Sequence, residues 1–332
     1  MKHSHKPPLS IWLLTDGLPG HANQSKGIIR ALNRRYQPQV YEINVSLKHK
    51  ALRALTRLLA NKVPASLPHL WQWFYQIEDR GAPKPDLIIS AGGNTLGANI
   101  SLAAYHQCRN IFSGTIKGYG AEKLDLIITV SPIKNASNNL VLDLPPSVIE
   151  PGDAAVSTSG LCSLLIGASG AGYDYSEQDW LNLASGINNL SEREGIRWLI
   201  TTSRRTDPAV EDLLEKHLDP KHIAEAVWFS RNPAKVMKRF LESADAVFVT
   251  EDSLTMVAEA IFSRRGVCTL QPKQMHPVDN DEQALKKYQT LGYIRRVPLE
   301  SLISVELSGL RAAELPDIDE TIAAAVEKLL ND

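Results

Sequence analysis

Residues 11–25 read IWLLTDGLPGHANQS, in which the apolar run Ile11–Thr15 ends in a polar turn and a helical pattern follows. A short apolar run before an amphipathic segment indicates a strand, a loop and a helix in that order. The same order returns where the apolar run Leu161–Ile166 precedes a glycine-rich turn and a second helical pattern. Repetition of this unit predicts a parallel sheet covered by helices, which is the α/β class.

Nearly the whole chain alternates between short apolar runs and longer amphipathic segments. The predicted strands are Ile11–Thr15, Val40–Val45, Leu87–Ser90, Leu126–Val130, Leu161–Ile166, Trp198–Thr202, Val227–Ser230, Ala246–Thr250 and Val267–Leu270. The predicted helices are Asn23–Tyr36, Asn94–Gln107, Glu177–Leu190, Pro208–His217, Pro233–Glu242, Ser253–Ser263 and Ile318–Leu330. We therefore expect two doubly wound Rossmann-like domains that face a central cleft, with ligands at the carboxyl ends of the strands.

The chain is long enough for two domains, because 332 residues exceed what one core comfortably supports. Residues 144–160, LPPSVIEPGDAAVSTSG, are rich in proline, glycine and serine and have no periodicity, which is typical of a linker. We predict an N-terminal domain over residues 1–152 and a C-terminal domain over residues 153–332. The last predicted helix could pack on either domain.

The composition is that of an ordinary globular protein. Lysine and arginine number 36 against 37 acidic residues, so the net charge of -1 gives no field that favours nucleic acid. The hydrophobic fraction of 43% excludes a disordered chain, and no apolar run reaches the ~20 residues of a membrane-spanning helix. The apolar stretch near the N-terminus, IWLL, is too short for a signal peptide. We expect a cytoplasmic protein.

The cysteines agree with that location. Cys108, Cys162 and Cys268 are odd in number and far apart, so they form no disulfide framework. Cys162 and Cys268 lie in or beside apolar runs, and we expect both to be small buried hydrophobic residues.

The first loop, Thr15–Ser25, concentrates polar side chains between a strand and a helix. Two glycines allow a sharp turn, while Asp16 and His21 are more than a turn needs. The ordinary explanation for Asn23 is that it is the N-cap of the helix. An imidazole titrates near neutral pH, so we assign His21 as a candidate general base.

A second loop, Ser90–Thr95, again lies at the end of a strand and before a helix. Its Gly92, Gly93 and Asn94 could bind an anion or a polar ligand edge through backbone N–H groups. A glycine pair before a helix cap is equally ordinary turn chemistry.

Three loops of the second half have the same position. Gly167–Gly172 could hold a diphosphate with backbone donors, although it is neither a Walker loop nor a GxGxxG fingerprint. Ser203, Arg204 and Arg205 would bind phosphate through charge-assisted hydrogen bonds, or form a solvated loop. In Thr250–Ala260, Ser253 can cap a helix and Glu259 could bind the two hydroxyls of a ribose, or be a solvated carboxylate.

Motifs for metal binding and for a catalytic nucleophile are absent from the sequence. It has no HExxH, no nucleophile elbow, no DxD motif and no His/Cys ligand set, so we expect neither a metal nor another cofactor.

Residues 48–75 combine basic and aromatic side chains. Five lysines and arginines lie in a segment without acidic residues, and LPHLWQWFY follows. This combination would suit peripheral contact with an anionic membrane, but the aromatic residues could equally cover the sheet of the first domain.

Together, TDGLPGHANQS, SAGGNT, TTSRRT and VTEDSLTMVAEA resemble motifs of the mitochondrial-fission (elongated-mitochondria) family, over residues 11–268. The sequence is also similar, more distantly, to GT-B glycosyltransferases such as the peptidoglycan N-acetylglucosaminyltransferase. That resemblance implies an acceptor-side first domain and a nucleotide-sugar-binding second domain without an obligatory metal. The first loop departs from the transferase pattern, because Gly-Leu-Pro-Gly-His replaces an uninterrupted glycine run.

The loop positions and the resemblance together predict roles for individual residues. The expected catalytic pair is His21 with Asp16, and the expected acceptor-side residues are Gly20, Asn23, Gln24, Gly92, Gly93 and Asn94. The expected donor-binding residues are Gly167, Ser169, Gly170, Ser203, Arg204, Arg205, Ser253, Thr255, Met256 and Glu259.

The main hypothesis is metal-independent glycosyl transfer from a nucleotide sugar, in the cleft, to an unidentified acceptor. A lipid-linked or cell-envelope saccharide is one candidate class, and a peripheral position at the inner membrane surface one candidate location. Two alternatives stay open: a non-catalytic scaffold that recruits a partner protein, as described for plant members of the fission family, and a nucleotide-sugar epimerase.

Overall fold

The computed structural model describes residues 7–78, 81–150 and 159–331. Contacts divide the chain into unit 1, Met1–Val148 with Pro316–Asp332, and unit 2, Ile149–Leu315. Each unit contains a mainly parallel sheet with helices, so the expected α/β class is confirmed. The predicted domain boundary, between residues 152 and 153, lies outside the described residues.

Unit 1 is built on a seven-stranded sheet in the order β3-β2-β1-β4-β5-β6-β7. Its strands are β1 (Pro8–Thr15), β2 (Gln37–Leu47), β3 (Tyr75–Glu78), β4 (Leu87–Ala91), β5 (Arg109–Ser113), β6 (Leu126–Thr129) and β7 (Asn139–Val141). Its first four helices are α1 (Pro19–Leu32), α2 (Leu52–Lys62), α3 (Leu70–Phe74) and α4 (Leu96–His106). Only the pairing of β2 with β3 is antiparallel. Central strands such as β4 are buried along their whole length, as expected for a parallel sheet covered on both faces.

Unit 2 is built on a six-stranded parallel sheet in the order β11-β10-β8-β12-β13-β15, beside a small antiparallel pair. Its strands are β8 (Leu161–Ile166), β9 (Tyr173–Asp174), β10 (Arg197–Thr202), β11 (Ile223–Val227), β12 (Ala246–Thr250), β13 (Gly266–Gln271), β14 (Gln274–Met275) and β15 (Arg295–Pro298). Its helices are α5 (Glu177–Glu194), α6 (Pro208–His217), α7 (Met237–Ser243), α8 (Leu254–Phe262) and α9 (Asp279–Thr290). Local sequence sets their ends: α5 starts in a capping box of Ser176 and Asp179 and stops at Gly195, whose φ is +67°.

The last helix, α10 (Ile318–Asn331), belongs to unit 1 and packs on α1. Ion pairs join α1 and the residues that follow it to α10 and the residue before it: Arg30 bonds Asp319 at 2.8 Å, Arg34 bonds Asp317 at 2.7 Å, and Arg35 bonds Glu320 and Glu327. The chain thus returns to its first unit, which the sequence left open.

Several predicted elements were misplaced. The strand predicted at Val227–Ser230 is wrong, because β11 ends at Val227 and Ser230 turns back to bond Glu211. Helix α1 begins at Pro19 instead of Asn23, since proline is well suited to the first helical turn. Helix α7 begins only at Met237.

Buried residues confirm other expectations. Cys162 and Cys268 are fully buried, and burial raises the pKa of the Cys162 thiol to about 12. In residues 70–75, Leu70 and Tyr75 are buried and Phe74 packs against the core, whereas Trp73 is exposed. Within the described ranges, no helix is both long and apolar enough to cross a membrane.

Candidate functional site

The polar loops that the sequence singled out lie at the carboxyl ends of the strands in each unit. In unit 1 they follow β1 and β4, and in unit 2 they follow β8, β10 and β12. Because parallel strands end at the same edge of a sheet, each set is brought together within its own unit.

In unit 1, Asp16 orients His21. The imidazole Nδ1 lies 3.0 Å from one carboxylate oxygen of Asp16 and 3.1 Å from the other. The Asp16 side chain is 4% exposed, whereas that of His21 is 32% exposed. With the carboxylate ionised, Nδ1 carries the proton and Nε2 has the lone pair. Nε2 has no hydrogen bond to any described residue, so it can accept a proton from a ligand.

The loop after β4 supports this pair. The Asn94 side-chain amide donates to Asp16 Oδ2 at 2.9 Å, and its oxygen accepts from Arg53 at 2.5 Å. Gly92 has a φ of +84°, and a Cβ there would lie 2.1 Å from His21 Nδ1. Only glycine fits this position, because any side chain would displace the imidazole.

The other expected acceptor-side residues have varied surroundings. Gln24 accepts a hydrogen bond from Ser113 at 3.0 Å, which ties α1 to the end of β5. Gly20 and Asn23 lie in the first turns of α1, and Gly93 follows Gly92 in the β4 loop. Asn23 is not the N-cap, because α1 begins at Pro19 and its N-cap residue is Leu18.

In unit 2, the glycine loop after β8 is held by the protein itself. The N–H groups of Gly167 and Ala168 donate to Thr250 Oγ1 at 2.8 Å and to Asp252 Oδ2 at 3.1 Å. The Gly170 N–H donates to the Tyr173 carbonyl. These expected diphosphate donors therefore shape the loop, whereas Ser169 is exposed on it.

The arginine loop after β10 contacts the glycine loop. Thr206 Oγ1 donates to the Gly167 carbonyl at 2.6 Å. Arg205 donates to Asp252 Oδ2, and its Nη1 lies 3.2 Å from where a Cβ on Gly170 would be. Arg204 is exposed and bonds no described residue. Of the two arginines, Arg205 is therefore the one at the junction of three strand ends.

Asp252 is the residue at this junction that sequence reasoning missed. It is 5% exposed, and its Oδ1 has no hydrogen-bond partner among the described residues. Burial raises the pKa of its carboxyl, while the bond from Ala168 and the charge of Arg205 oppose that rise. Its position two residues after β12 was the one available signal, because the sequence does not show which strands are neighbours.

Helix α8 places the remaining expected donor-binding residues. Ser253 caps the helix as predicted, accepting from the Met256 N–H at 3.4 Å. Thr255 and Glu259 are four residues apart, on one helix face, and Met256 and Glu259 are buried. Ser203, by contrast, bonds within its own loop, with Thr206 and Arg205.

A second buried carboxylate, that of Glu251, forms a hydrogen-bond network next to Asp252. It accepts from Thr269 at 2.6 Å and from Arg296 at 2.7 and 2.8 Å. Arg296 also bonds Glu282 at 3.0 Å, so β12, β15 and α9 are joined. Sequence reasoning missed this network because its members are up to 45 residues apart.

One cluster in the described part of the chain has metal-ligating side chains, and it lies elsewhere. Glu192, Asp219 and His222 converge, but the Lys221 ammonium already forms ion pairs with both carboxylates. A cation is therefore present there without a metal.

Known proteins resemble the chain in sequence and in fold. The model of the family described as Mitochondrial fission ELM1 matches residues 151–329. An uncharacterized protein of Rickettsia prowazekii, RP120, is 20% identical over 309 residues, which cover 80% of this chain and 84% of that protein.

Two solved structures extend the likeness over nearly the whole chain. MurG from Acinetobacter baumannii is 13% identical with a TM-score of 0.55, covering 98% of this chain and 99% of that one. The UDP-GlcNAc 2-epimerase from Neisseria meningitidis, bound to UDP-GlcNAc, is 12% identical with a TM-score of 0.52, covering 98% and 100%. At these identities the likeness shows the fold, which is GT-B-like with two Rossmann-like units.

Proposed function

Because the chain belongs to the Mitochondrial fission ELM1 family and has a GT-B-like fold, we propose that it is a glycosyltransferase. In this proposal unit 2 binds a nucleotide sugar, and unit 1 activates an acceptor hydroxyl without a metal. The observation that carries the proposal is the position of Arg205, which reaches both the glycine loop and Asp252 at three neighbouring strand ends.

Arg205 is suited to a diphosphate because a guanidinium forms paired, charge-assisted hydrogen bonds with phosphate oxygens. Its side chain is 41% exposed, so a ligand can reach it, while Asp252 fixes its direction. Ser169 and Arg204, both exposed, would add donors around the diphosphate. On α8, Ser253, Thr255 and Met256 would contact phosphate and base, and Glu259 would accept hydrogen bonds from the ribose hydroxyls.

The Asp16–His21 pair would supply the base. His21 Nε2 takes the proton of the acceptor hydroxyl as that oxygen attacks the anomeric carbon of the sugar. The bond from that carbon to the diphosphate oxygen breaks, and the electron pair leaves with the diphosphate. Arg205, with Arg204, would stabilise this charge electrostatically. A single displacement of this kind inverts the anomeric configuration.

The acceptor class proposed is a lipid-linked or cell-envelope saccharide, used from the cytoplasmic side. Support comes from the exposed apolar side chains of α2, which adjoin the Asp16–His21 loops through Arg53. An epimerase is a second candidate, because the Neisseria enzyme with a similar fold is a UDP-GlcNAc 2-epimerase.

Product analysis tests the proposal. The purified chain is incubated with UDP-, GDP- and ADP-sugars, with and without a panel of lipid-linked saccharides. We expect release of the nucleoside diphosphate that depends on the acceptor, and a loss of about 10²-fold or more in His21→Ala. The exposed His217→Ala is the matched control and should retain activity.

Other outcomes would contradict the transferase proposal. Interconversion of the sugar without any acceptor would show an epimerase. Absence of both reactions, with the His21→Ala chain still functional in cells, would favour a scaffold.

A further inference from the structure

Exposed apolar side chains are concentrated on one part of unit 1. Leu55 is 43% exposed, Leu58 55%, Val63 43% and Trp73 52%. These four belong to a segment of 19 residues, whereas the other large exposed hydrophobic residues of the described chain are scattered over its remaining length. We call this group the α2 surface.

The geometry of α2 separates an outer face from an inner one. Leu55 and Leu58 are three residues apart and share a face, and Lys62 continues that face one turn later. Thr56 and Ala60 are buried on the other side, where α2 packs against α3 and α4. The exposed leucines are therefore not the margin of the core but a separate apolar stripe.

The charged side chains of the segment that carries this stripe are all positive. Residues 43–77 contain no aspartate or glutamate and five lysines or arginines, although the whole chain is balanced. Three of the five have hydrogen bonds, but only to neutral acceptors: Lys48 to the carbonyls of Gln72 and Trp73, Arg53 to Asn94, and Arg57 to the Lys117 carbonyl. None of the five forms an ion pair with a carboxylate in the described residues.

We propose that the α2 surface binds the face of an anionic lipid bilayer. Leucine and valine side chains would enter the acyl boundary, the Trp73 ring would lie at the headgroup level, and lysine and arginine would meet lipid phosphates. Basic residues near an anionic surface are attracted to it, and burial of the apolar stripe adds to that attraction. Basic charge without acidic partners fits a phosphate-rich surface better than it fits a mixed-charge protein interface.

The α2 surface lies near the candidate base, so membrane contact would serve catalysis; this step rests on the proposed function. Arg53 of α2 bonds Asn94, which in turn bonds Asp16 beside His21. A bilayer against α2 would therefore lie close to the candidate base and would present an acceptor whose lipid anchor stays in the membrane.

Vesicle sedimentation tests the proposal with the full chain. Vesicles of pure phosphatidylcholine are compared with vesicles containing 30% phosphatidylglycerol (roughly the anionic content of many membranes) at low and high salt. We expect binding to the anionic vesicles alone, weakened at high salt because screening shortens the reach of the charges. The double variant Leu55→Glu, Leu58→Glu should bind at least about 10-fold more weakly.

The matched control is Val40→Glu with Val141→Glu, two exposed valines of the same unit outside the α2 surface. It should bind vesicles as the unchanged chain does. Because all four positions are exposed, unfolding temperatures should stay within a few degrees of one another.

Equal binding by both double variants, binding to phosphatidylcholine alone, or no binding to either vesicle would overturn the proposal. Nucleotide binding by the leucine variant separates the two hypotheses. If it binds nucleotide but not vesicles, membrane contact and donor binding are independent, as expected. If the unchanged chain binds vesicles but no nucleotide, the membrane proposal stands and the transferase proposal fails.

Discussion

Replacing Gly167 by alanine probes whether Asp252 and the glycine loop form one rigid arrangement. A Cβ at residue 167 would lie 2.2, 2.3 and 2.5 Å from the three carboxyl-group atoms of Asp252. Real Cβ contacts are essentially never this short, so either the loop or Asp252 must move. Asp252 is buried and bonded to Ala168 and Arg205, so moving it breaks those bonds.

The cost can be estimated from these contacts. Overpacking a well-packed position costs about 1–3 kcal/mol, and losing a hydrogen bond to a charged group costs about 1.5–3 kcal/mol. The lower ends add to about 2.5 kcal/mol, which corresponds to a fall of at least about 5 °C in unfolding temperature for a unit of this size. Diphosphate affinity should fall as well, because Arg205 loses the carboxylate that fixes its direction.

The assay is thermal unfolding of the purified variant, followed by titration with UDP. Gly309→Ala is the matched control in unit 2, since its Cβ would meet only the end of the Arg295 side chain, at 3.5 Å. It should unfold within about 2 °C of the unchanged chain, which reflects an ordinary surface substitution. If Gly167→Ala behaves like Gly309→Ala in both measurements, the argument from packing is wrong.

Three further predictions concern the ion pairs of the two units. Arg296→Met leaves the buried Glu251 carboxylate without its cation and should cost about 3–5 kcal/mol in the free energy of unfolding, measured by urea denaturation. Hydrogen bonds from Arg296 hold the pKa of Glu282 below its ordinary value of 4.5, so this stabilisation is complete above that value and lost as the pH falls through the lowered pKa. Glu282→Gln should therefore flatten the decline of unfolding temperature in acid. Asp319→Asn weakens the partly buried pair with Arg30 that joins α10 to α1, and should speed proteolysis of the C-terminal helix.

Exposed pairs provide the controls. Arg231→Met breaks pairs in which every member is more than 40% exposed, so it should change the free energy of unfolding far less than Arg296→Met does. Glu327→Gln alters an exposed contact of α10 and should speed proteolysis of that helix less than Asp319→Asn does. If each control matched its buried counterpart, burial would not be what gives these pairs their strength.

The strand ends were predictable from sequence because each strand, loop and helix is local. The apolar run Leu161–Ile166 has the bounds that the structure gives to β8, and Ser253 caps α8 as its position indicated. Such patterns depend on residues within a few turns of one another, so they hold whatever the rest of the chain does.

Elements with little apolar character escaped prediction. Strand β15 has the sequence RRVP, and α9 carries several acidic residues in its first turn. In both, the buried side is formed by few residues, so hydrophobic periodicity gave too weak a signal. The strand β5, RNIFS, was hidden because it follows α4 after only two residues.

The missed site residues depend on which strands are neighbours. Asp252 bonds Ala168, 84 residues away, only because β12 lies beside β8 in the sheet. The sequence predicts that both strands exist but not their order. Asp252 was therefore given no role from the sequence, although its buried side chain contacts two other loops.

Calorimetric titration of nucleoside diphosphates tests the central claim, that unit 2 binds a nucleotide sugar by its diphosphate. UDP, GDP and ADP are titrated into the unchanged chain, Arg205→Ala and Glu259→Gln. We expect one nucleotide to bind and Arg205→Ala to weaken it about 10-fold or more, because a hydrogen bond to a charged group is lost. Glu259→Gln should weaken the ribose contact. If none of the three nucleotides binds, or if Arg205→Ala binds as tightly as the unchanged chain, the claim is contradicted.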